Sequence, residues 1–342
     1  MNYTLPSKLK LFAVILMVIG AVGIGAGFLS APGSTAEVKE MMAAHGDDHG
    51  EDTATESHDA SATAHGEQAH GEQAHGASHS AADQEKHLEH TLHQLQNRPW
   101  SALYVACFFF FMIALGALAF YAVNFAAQAG WSPVLFRVME AVTAYLVPGG
   151  IIMFVLLGLS GFHINHLFVW ADPEVVAHDK LLQGKASWLN GTWMLIRAAI
   201  FLGGWITYRY FAVKFSRAGD TAQANDHSNF TKTFRISAGF LVFFLYTESM
   251  MSWDWIMSFD PHWFSTLFGW YVLAGMMVCA ITTIALITIF LKSQGYLEIV
   301  NDSHIHDLAK FMFGFSIFWT YLWFSQFMLI WFANIPRRLL IL

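Results

Sequence analysis

Residues 248–268 read E-S-M-M-S-W-D-W-I-M-S-F-D-P-H-W-F-S-T-L-F and join the end of one strongly apolar segment to the start of the next. The stretch holds three carboxylates, those of Glu248, Asp254 and Asp260, together with His262 and three tryptophans. Acidic groups at membrane depth are costly, and they commonly mark a proton, ion or substrate path. This pattern predicts a turn between two membrane helices that carries functional groups.

The composition of the 342-residue chain supports a membrane protein. Hydrophobic residues make up 55% of the chain and charged residues only 13%, whereas a soluble domain carries roughly a quarter charged residues. The apolar residues fall into long blocks rather than short amphipathic stripes. The predicted fold class is therefore an all-α integral membrane protein.

Seven apolar blocks are predicted to be transmembrane helices, approximately residues 11–29, 99–126, 133–161, 190–212, 232–258, 261–291 and 304–334. Ser132-Pro133 and Asp260-Pro261 each predict a helix start, because an N-cap residue precedes a proline at the first helical position. Asn190-Gly191 is a weaker start signal of the same kind. The predicted domains are an N-terminal transmembrane helix (1–32), a linker (33–97), a first four-helix bundle (98–264) and two helices of a second bundle (265–342).

The linker at residues 33–97 is of low complexity and contains ten of the seventeen histidines. Thirteen Asp/Glu and three Lys/Arg in residues 31–98 make it strongly acidic. It lacks the apolar residues that offset ordering entropy, so most of it is predicted to be disordered. A solvated tether is favoured over histidine-based metal buffering or pH sensing. Residues 85–96 predict a short interfacial helix that leads into Pro99.

The short loops predict the orientation of the chain. With the N-terminus inside, the cytoplasmic side collects eight basic residues: Lys8, Lys10, Arg209, Lys214, Arg217, Lys232, Arg235 and Lys292. The outer loops carry only Lys180 and Lys185. This distribution follows the positive-inside rule and places the acidic linker outside.

A proton path is predicted through the side chains of Glu140, Arg197, Glu248, Asp254 and Lys310. Glu248 lies about 15 Å inside the outer end of its helix, and Asp254 lies about 6 Å from that end on a different side. Arg197 falls at an intermediate depth and is predicted to pair with Glu248. The alternative is an ion pair that only ties two helices together.

An inner half of the path is predicted around Glu140. Arg137 and Glu140 are spaced i,i+3, which favours an ion pair. Pro148-Gly149-Gly150 predicts a helix break near mid-membrane, and such breaks need a cavity, water or a neighbouring helix. The alternative is a salt bridge beside a packing kink.

An outer mouth, or a group close to a quinone, is predicted from Asp260, His262, His163 and His166. The local alternative is that Asp260 caps the following helix and His262 faces the lipid headgroups.

No metal site is predicted in the chain. Cys107 and Cys279 are too few for an ordinary iron–sulfur cluster, and the C-x-x-C-H motif for attached haem is absent. His304 and His306 do not share a helical face. Any electron-carrying centre is therefore expected in a partner or in a diffusible cofactor.

Two sequence blocks resemble the F subunit of bacterial alternative complex III, an NrfD-like membrane protein of a quinol:cytochrome c oxidoreductase. The first joins S-W-D-W-I-M-S (252–258) to F-D-P-H-W-F-S-T-L-F-G-W-Y (259–271). The second is H-D-L-A-K-F-M-F-G-F-S-I-F-W-T-Y-L-W-F-S-Q-F-M-L-I-W-F-A-N-I-P (306–336). The resemblance covers roughly residues 95–336.

The resemblance implies a multi-pass subunit of the bacterial inner membrane, in a complex that oxidises menaquinol. The implied partners are a paralogous NrfD-like subunit, multihaem cytochrome c and iron–sulfur subunits, and a terminal oxidase, with no nucleic acid. Haem and iron–sulfur clusters would belong to those partners. Menaquinone is the one cofactor implied for this subunit, and proton conduction through two half-channels is the implied role.

The alternatives are a structural anchor for the redox subunits and, less favoured, a metal or cation transporter fed by the linker. NrfD-like proteins continue through about three more helices where this sequence closes with R-R-L-L-I-L after Ile335-Pro336. We therefore expect a truncated sequence, or a second bundle completed by another subunit.

Overall fold

The computed structural model describes residues 6–45, 81–162, 164–223 and 226–333, and no β-strand occurs among them. The helices are α1 (Ser7–Leu29), α2 (Thr35–His45), α3 (Ala81–Ala126), α4 (Phe136–Thr143), α5 (Leu146–Gly161), α6 (Pro173–His178), α7 (Lys180–Lys185), α8 (Gly191–Asp220), α9 (Ser228–Trp255), α10 (Phe268–Ser293) and α11 (Asp302–Phe332). Short 3₁₀ turns cover Pro133–Leu135, Val169–Ala171 and Met257–Phe259. The all-α prediction is confirmed.

Five helical segments are long and apolar enough to cross a membrane: Ser7–Leu29, Thr91–Ala126, Pro133–Gly161, Phe268–Ser293 and Asp302–Phe332. This set is compatible with a multi-pass membrane protein. Helices α8 and α9 contain 30 and 28 residues, which is long enough for a span. Both carry several charged residues, and neither is as apolar as the five segments above.

The contacts divide the chain into two compact units, and residues 15–99 form the smaller one. In that unit the side-chain amide of Gln96 donates a hydrogen bond of 3.1 Å to the carbonyl of Pro32. Residues 35–45 and 81–97 of the predicted linker are helical, and residues 46–80 lie outside the described part of the chain. The helix predicted at residues 85–96 does not stop at Pro99, because α3 continues through this proline.

The larger unit is built from packed helix pairs. Helix α8 packs against α9 and α5, and α10 packs against α9, α11 and α4. Its core lies where α3, α8 and α9 meet. There the ring of Phe111 lies 6.1 Å from that of Trp205 and 6.0 Å from that of Trp255.

The helix starts agree with the sequence signals at two of three places. Asn190 caps α8, since its side-chain oxygen accepts the backbone N–H of Thr192 at 2.9 Å. Pro133 begins a 3₁₀ turn that leads into α4. The start predicted at Asp260-Pro261 is wrong, because α10 begins at Phe268. The Asp260 carboxylate instead accepts the backbone N–H of His262 at 3.1 Å and holds an irregular turn.

The break predicted around Pro148 occurs just before it. Helix α4 ends at Thr143 and α5 begins at Leu146, so the interruption falls at Ala144 and Tyr145. Proline has no backbone N–H, so Pro148 cannot donate the helical hydrogen bond to the carbonyl of Ala144. The local sequence thus accounts for the interruption between these two helices.

Helices α3 and α10 approach each other closely at Gly116. A Cβ atom placed on Gly116 would lie 2.8 Å from the carbonyl oxygen of Met276 and 2.9 Å from Cβ of Ala280. Small residues allow this kind of close helix packing in membranes. Any larger residue at this position would push α3 away from α10.

We expect Gly116→Ala to lower the free energy of unfolding of the purified chain by about 1–3 kcal/mol, because overpacking strains the interface. The matched control is Gly239→Ala in α9, where a Cβ atom would meet nothing within 4 Å. It should be neutral or stabilising. Thermal unfolding in detergent measures both, and equal effects of the two variants would contradict the close approach.

Candidate functional site: buried carboxylates of the helix bundle

Asp254 is buried near the end of α9 and is paired with Arg197 of α8. Its side chain is 1% exposed, and its Oδ2 accepts a hydrogen bond from Nε of Arg197 at 2.5 Å. Its Oδ1 accepts from the indole N–H of Trp188 at 2.8 Å. The predicted pairing of Arg197 with Glu248 is therefore wrong. The physical reason is that Asp254 lies beside the first turns of α8, where Arg197 reaches it.

Trp188, in the loop before α8, packs against this ion pair. The guanidinium of Arg197 lies 4.2 Å from the centroid of the Trp188 ring, a cation–π geometry. A terminal nitrogen of Arg197 also donates to the carbonyl of Trp188 at 3.1 Å. The loop, α8 and α9 are thus joined through one buried carboxylate.

Glu248 is buried in the last third of α9 and forms no ion pair with the described residues. The residue is 1% exposed, and its Oε1 has no hydrogen-bond partner among the described residues. Its neighbour Thr247 is satisfied, because its hydroxyl accepts the indole N–H of Trp205 at 3.0 Å and donates to the carbonyl of Phe243. An unpaired carboxylate inside a helix bundle is costly and is a functional candidate by default.

Glu140 belongs to a separate polar cluster at the other end of α8. Its Oε2 accepts from Arg137 at 2.6 Å, as the i,i+3 spacing predicted, and its Oε1 accepts from the hydroxyl of Tyr121 at 3.3 Å. Arg137 also pairs with Asp220, the last residue of α8. The hydroxyl of Thr143 donates to the carbonyl of Glu140 and accepts from Arg209.

Two tyrosines of α3 bond to these clusters, and their spacing shows how far apart the clusters lie along the bundle. The hydroxyl of Tyr104 donates to the carbonyl of Trp255 at 2.9 Å, next to Asp254. The hydroxyl of Tyr121 donates to Glu140. The tyrosines are seventeen residues apart in a helix, which corresponds to about 25 Å. Asp254 and Glu140 thus lie near opposite ends of the bundle.

Aromatic side chains separate Glu248 from the polar groups toward the start of α9. The hydroxyls of Tyr208 and Ser237 are hydrogen-bonded at 2.7 Å, and both residues are buried. Ser237 lies eleven residues before Glu248, about 16 Å along the helix. The intervening turns bury Phe240, whose ring stacks on Tyr208 at 3.9 Å, and Phe244. Within α9 the polar groups therefore form two layers with an apolar layer between them.

The predicted outer mouth is brought together only in part. His262 is exposed, and its Nε2 lies 2.6 Å from Oδ2 of Asp179, a residue that the sequence did not single out. Asp260 lies beside His262 and bonds to its backbone. His166 is also exposed. His163 lies outside the described residues.

Lys310 lies apart from the buried carboxylates. It is exposed on α11 and forms an ion pair of 3.1 Å with Asp307, one turn away on the same helix. The nearby His304 takes part in a capping box with Asn301. Among the described residues, no group of three or more His, Cys, Asp or Glu is placed to hold a metal ion.

A largely apolar cleft of about 490 Å³ borders the Asp254 cluster. Its walls include Trp188, Trp253 and Trp263. The indole N–H of Trp253 is buried and has no hydrogen-bond partner among the described residues. Lys185 closes one edge, where its Nζ donates to the carbonyl of Pro261 at 2.6 Å.

Sequence reasoning missed the hydrogen-bonding partners of the carboxylates. Tyr104 and Tyr121 carry a usable signal, because a buried tyrosine hydroxyl inside an apolar block has to find a partner. Trp188 and Asp179 lie in the loop between α5 and α8 and follow no helical spacing. Their contacts depend on how that loop folds back on α9.

No known protein-family model matches this chain, and no curated protein matches it in sequence.

We expect Arg197→Gln to lower the free energy of unfolding by about 3–5 kcal/mol, because it leaves Asp254 buried without its charge partner. Lys310→Gln removes the same charge from an exposed pair and should change stability by less than about 1 kcal/mol. Both are measured by thermal unfolding of the full chain in detergent. Equal destabilisation by the two variants would show that the buried pair has no special role.

A second prediction concerns pH and Asp179. Partial burial opposes ionisation of Asp179, but hydrogen bonds from the backbone N–H groups of Leu181 and Leu182 and from His262 outweigh it and lower its pKa. The stabilisation is therefore fully present above the unfolded-state pKa of about 4, and it is lost as the pH falls through the folded-state pKa. Asp179→Asn should be less stable than the parent chain at pH 7, and this difference should shrink on acidification below about pH 4. Unfolding temperatures measured across this range test the prediction, and a constant difference would refute it.

Proposed function

We propose that this chain is a membrane subunit of a bacterial menaquinol:cytochrome c oxidoreductase of the alternative complex III type, and that it conducts protons while partner subunits oxidise the quinol. The buried, unpartnered carboxylate of Glu248 is the observation that carries the proposal. Burying a carboxylate costs less free energy when it is paired with a positive charge, as Asp254 is with Arg197. Glu248 forms no ion pair among the described residues, so the free-energy cost of burying its carboxylate needs a different explanation.

In this proposal the three carboxylates have different tasks. Glu248 is the central protonation site. Asp254, with Arg197, exchanges protons toward the side of the Asp260–His262 turn, and Glu140 does so at the opposite end. The Phe240–Phe244 layer prevents a continuous proton leak along α9, because phenylalanine side chains offer no site for a proton. Lys310 is exposed on α11 and pairs with Asp307, so the proposed relay does not include it.

Menaquinone is the diffusible cofactor of this proposal, and the cleft lined by Trp188, Trp253 and Trp263 fits its flat ring. Aromatic walls suit an apolar ring system. When bound, menaquinol supplies two electrons and two protons. The turn that contains Asp260 and His262 lies beside this cleft through Pro261 and Trp263.

The proposed architecture has seven spans in an NrfD-like arrangement, with α8 and α9 added to the five apolar segments. Of their charged residues, Arg197 and Asp254 neutralise each other inside the bundle, and most of the others lie toward the end of α8 and the start of α9. The N-terminus is placed in the cytoplasm of a bacterial cell and the histidine-rich linker in the periplasm, as the basic loop residues favour. Multihaem cytochrome, iron–sulfur and paralogous NrfD-like subunits complete the complex.

A structural anchor is the second candidate function, and α11 favours it. This helix exposes a row of large apolar side chains that includes Phe313, Ile317, Tyr321 and Phe324. Lipid or another subunit could cover such a face. An anchor requires this surface and does not require Glu248.

The variant Glu248→Gln distinguishes the two functions. It is tested in the whole complex, purified through an affinity tag on this chain. The substitution keeps the side-chain shape and should leave assembly intact, whereas proton transfer should slow about 100-fold because glutamine cannot exchange the proton. Quinol:cytochrome c turnover and proton release are measured together after reconstitution into vesicles. Ser249→Ala, at the neighbouring position, is the control and should leave both rates unchanged. Normal turnover and normal proton release in the glutamine variant would favour the anchor.

A further inference from the structure

A basic cleft of about 470 Å³ lies between α4 and the last turns of α8. Its charged lining consists of three arginines and two acids: Arg137, Glu140, Arg209, Arg217 and Asp220. The lining therefore carries one more formal positive charge than negative charges. Such an excess in a concave site attracts anions.

The two carboxylates are already used by one arginine. Arg137 binds Glu140 through one terminal nitrogen and Asp220 through the other. Arg209 and Arg217 form no ion pair with any of the described residues. The positive charge of the cleft is thus concentrated on these two side chains.

Arg209 and Arg217 are placed to act on the same ligand. They are spaced i,i+8 on α8, with Val213 of the same cleft between them, so they share one face about 12 Å apart along the axis. Thr143 accepts only the Nε–H of Arg209, at 3.2 Å. The two terminal nitrogens of Arg209 have no hydrogen-bond partner among the described residues and remain able to donate. This is the edge with which arginine binds phosphate oxygens in forked geometry.

We propose that this cleft is a binding site for a phosphate-bearing anion held between Arg209 and Arg217. A phosphodiester carries one negative charge, which would neutralise the excess charge of the lining. The anion can come from the headgroup of an anionic phospholipid or from free phosphate. Basic pockets between helices on the cytoplasmic side suit lipid headgroups. Glu140 also lines this cleft, but anion binding by Arg209 and Arg217 requires neither proton conduction nor a particular larger complex.

The test uses the full chain, purified and delipidated in a neutral detergent. Dioleoylphosphatidylglycerol, dioleoylphosphatidylcholine and inorganic phosphate are titrated separately, and binding is followed by native mass spectrometry and by the unfolding temperature. We expect phosphatidylglycerol to bind in preference to phosphatidylcholine. The double variant Arg209→Gln/Arg217→Gln should weaken this binding about tenfold or more.

The control is Lys214→Gln/Lys232→Gln, which removes two positive charges from exposed positions of α8 and α9 outside the cleft lining. Loss of phosphatidylglycerol binding in the arginine variant alone supports a lipid site. Binding of inorganic phosphate without the lipid, again lost only in the arginine variant, supports the same site with free phosphate as its ligand. Equal losses in both double variants, or binding of neither probe to the parent chain, would overturn the proposal.

Discussion

The need to neutralise charge inside a helix bundle is the constraint on which the larger unit depends. Helices α8 and α9 pack together and carry several charged residues, and the ion pair of Arg197 with Asp254 neutralises two of these charges inside the bundle. Trp188 completes the arrangement by donating to the same carboxylate. The pair therefore fixes the end of α9 and the loop before α8.

The other two buried carboxylates in the described part of the chain, Glu140 and Glu248, differ in whether they have partners of this kind. Glu140 follows the same rule, with Arg137 and Tyr121 as its partners. Glu248 is as deeply buried as Asp254, but it has no ion-pair partner among the described residues. Since the bundle offers arginines and tyrosines to its other buried acids, the isolation of Glu248 is specific to that position. This contrast distinguishes Glu248, which has no charge partner among the described residues, from Asp254, which is held in an ion pair.

The distribution of charge is also asymmetric along the bundle. Around Asp254, one arginine meets one carboxylate. At the opposite end of α8, two carboxylates share Arg137, and Arg209 and Arg217 form no ion pair within the described part of the chain. The two ends therefore suit different ligands. The aromatic walls beside Asp254 suit an apolar ring, and the arginine-lined cleft suits an anion.

The sequence by itself determined the all-helical class with its long apolar segments, the ion pair of Arg137 with Glu140 and the cap at Asn190. These features depend on apolar block length or on residues a few positions apart. Only the tertiary structure decided that Arg197 binds Asp254 rather than Glu248, that Asp179 meets His262, and that α10 begins at Phe268. Depth along a helix can be read from residue number, whereas the direction in which a side chain faces its neighbour depends on helix rotation and loop path. That is why the carboxylates of residues 248–268 could be found in the sequence, and their partners could not.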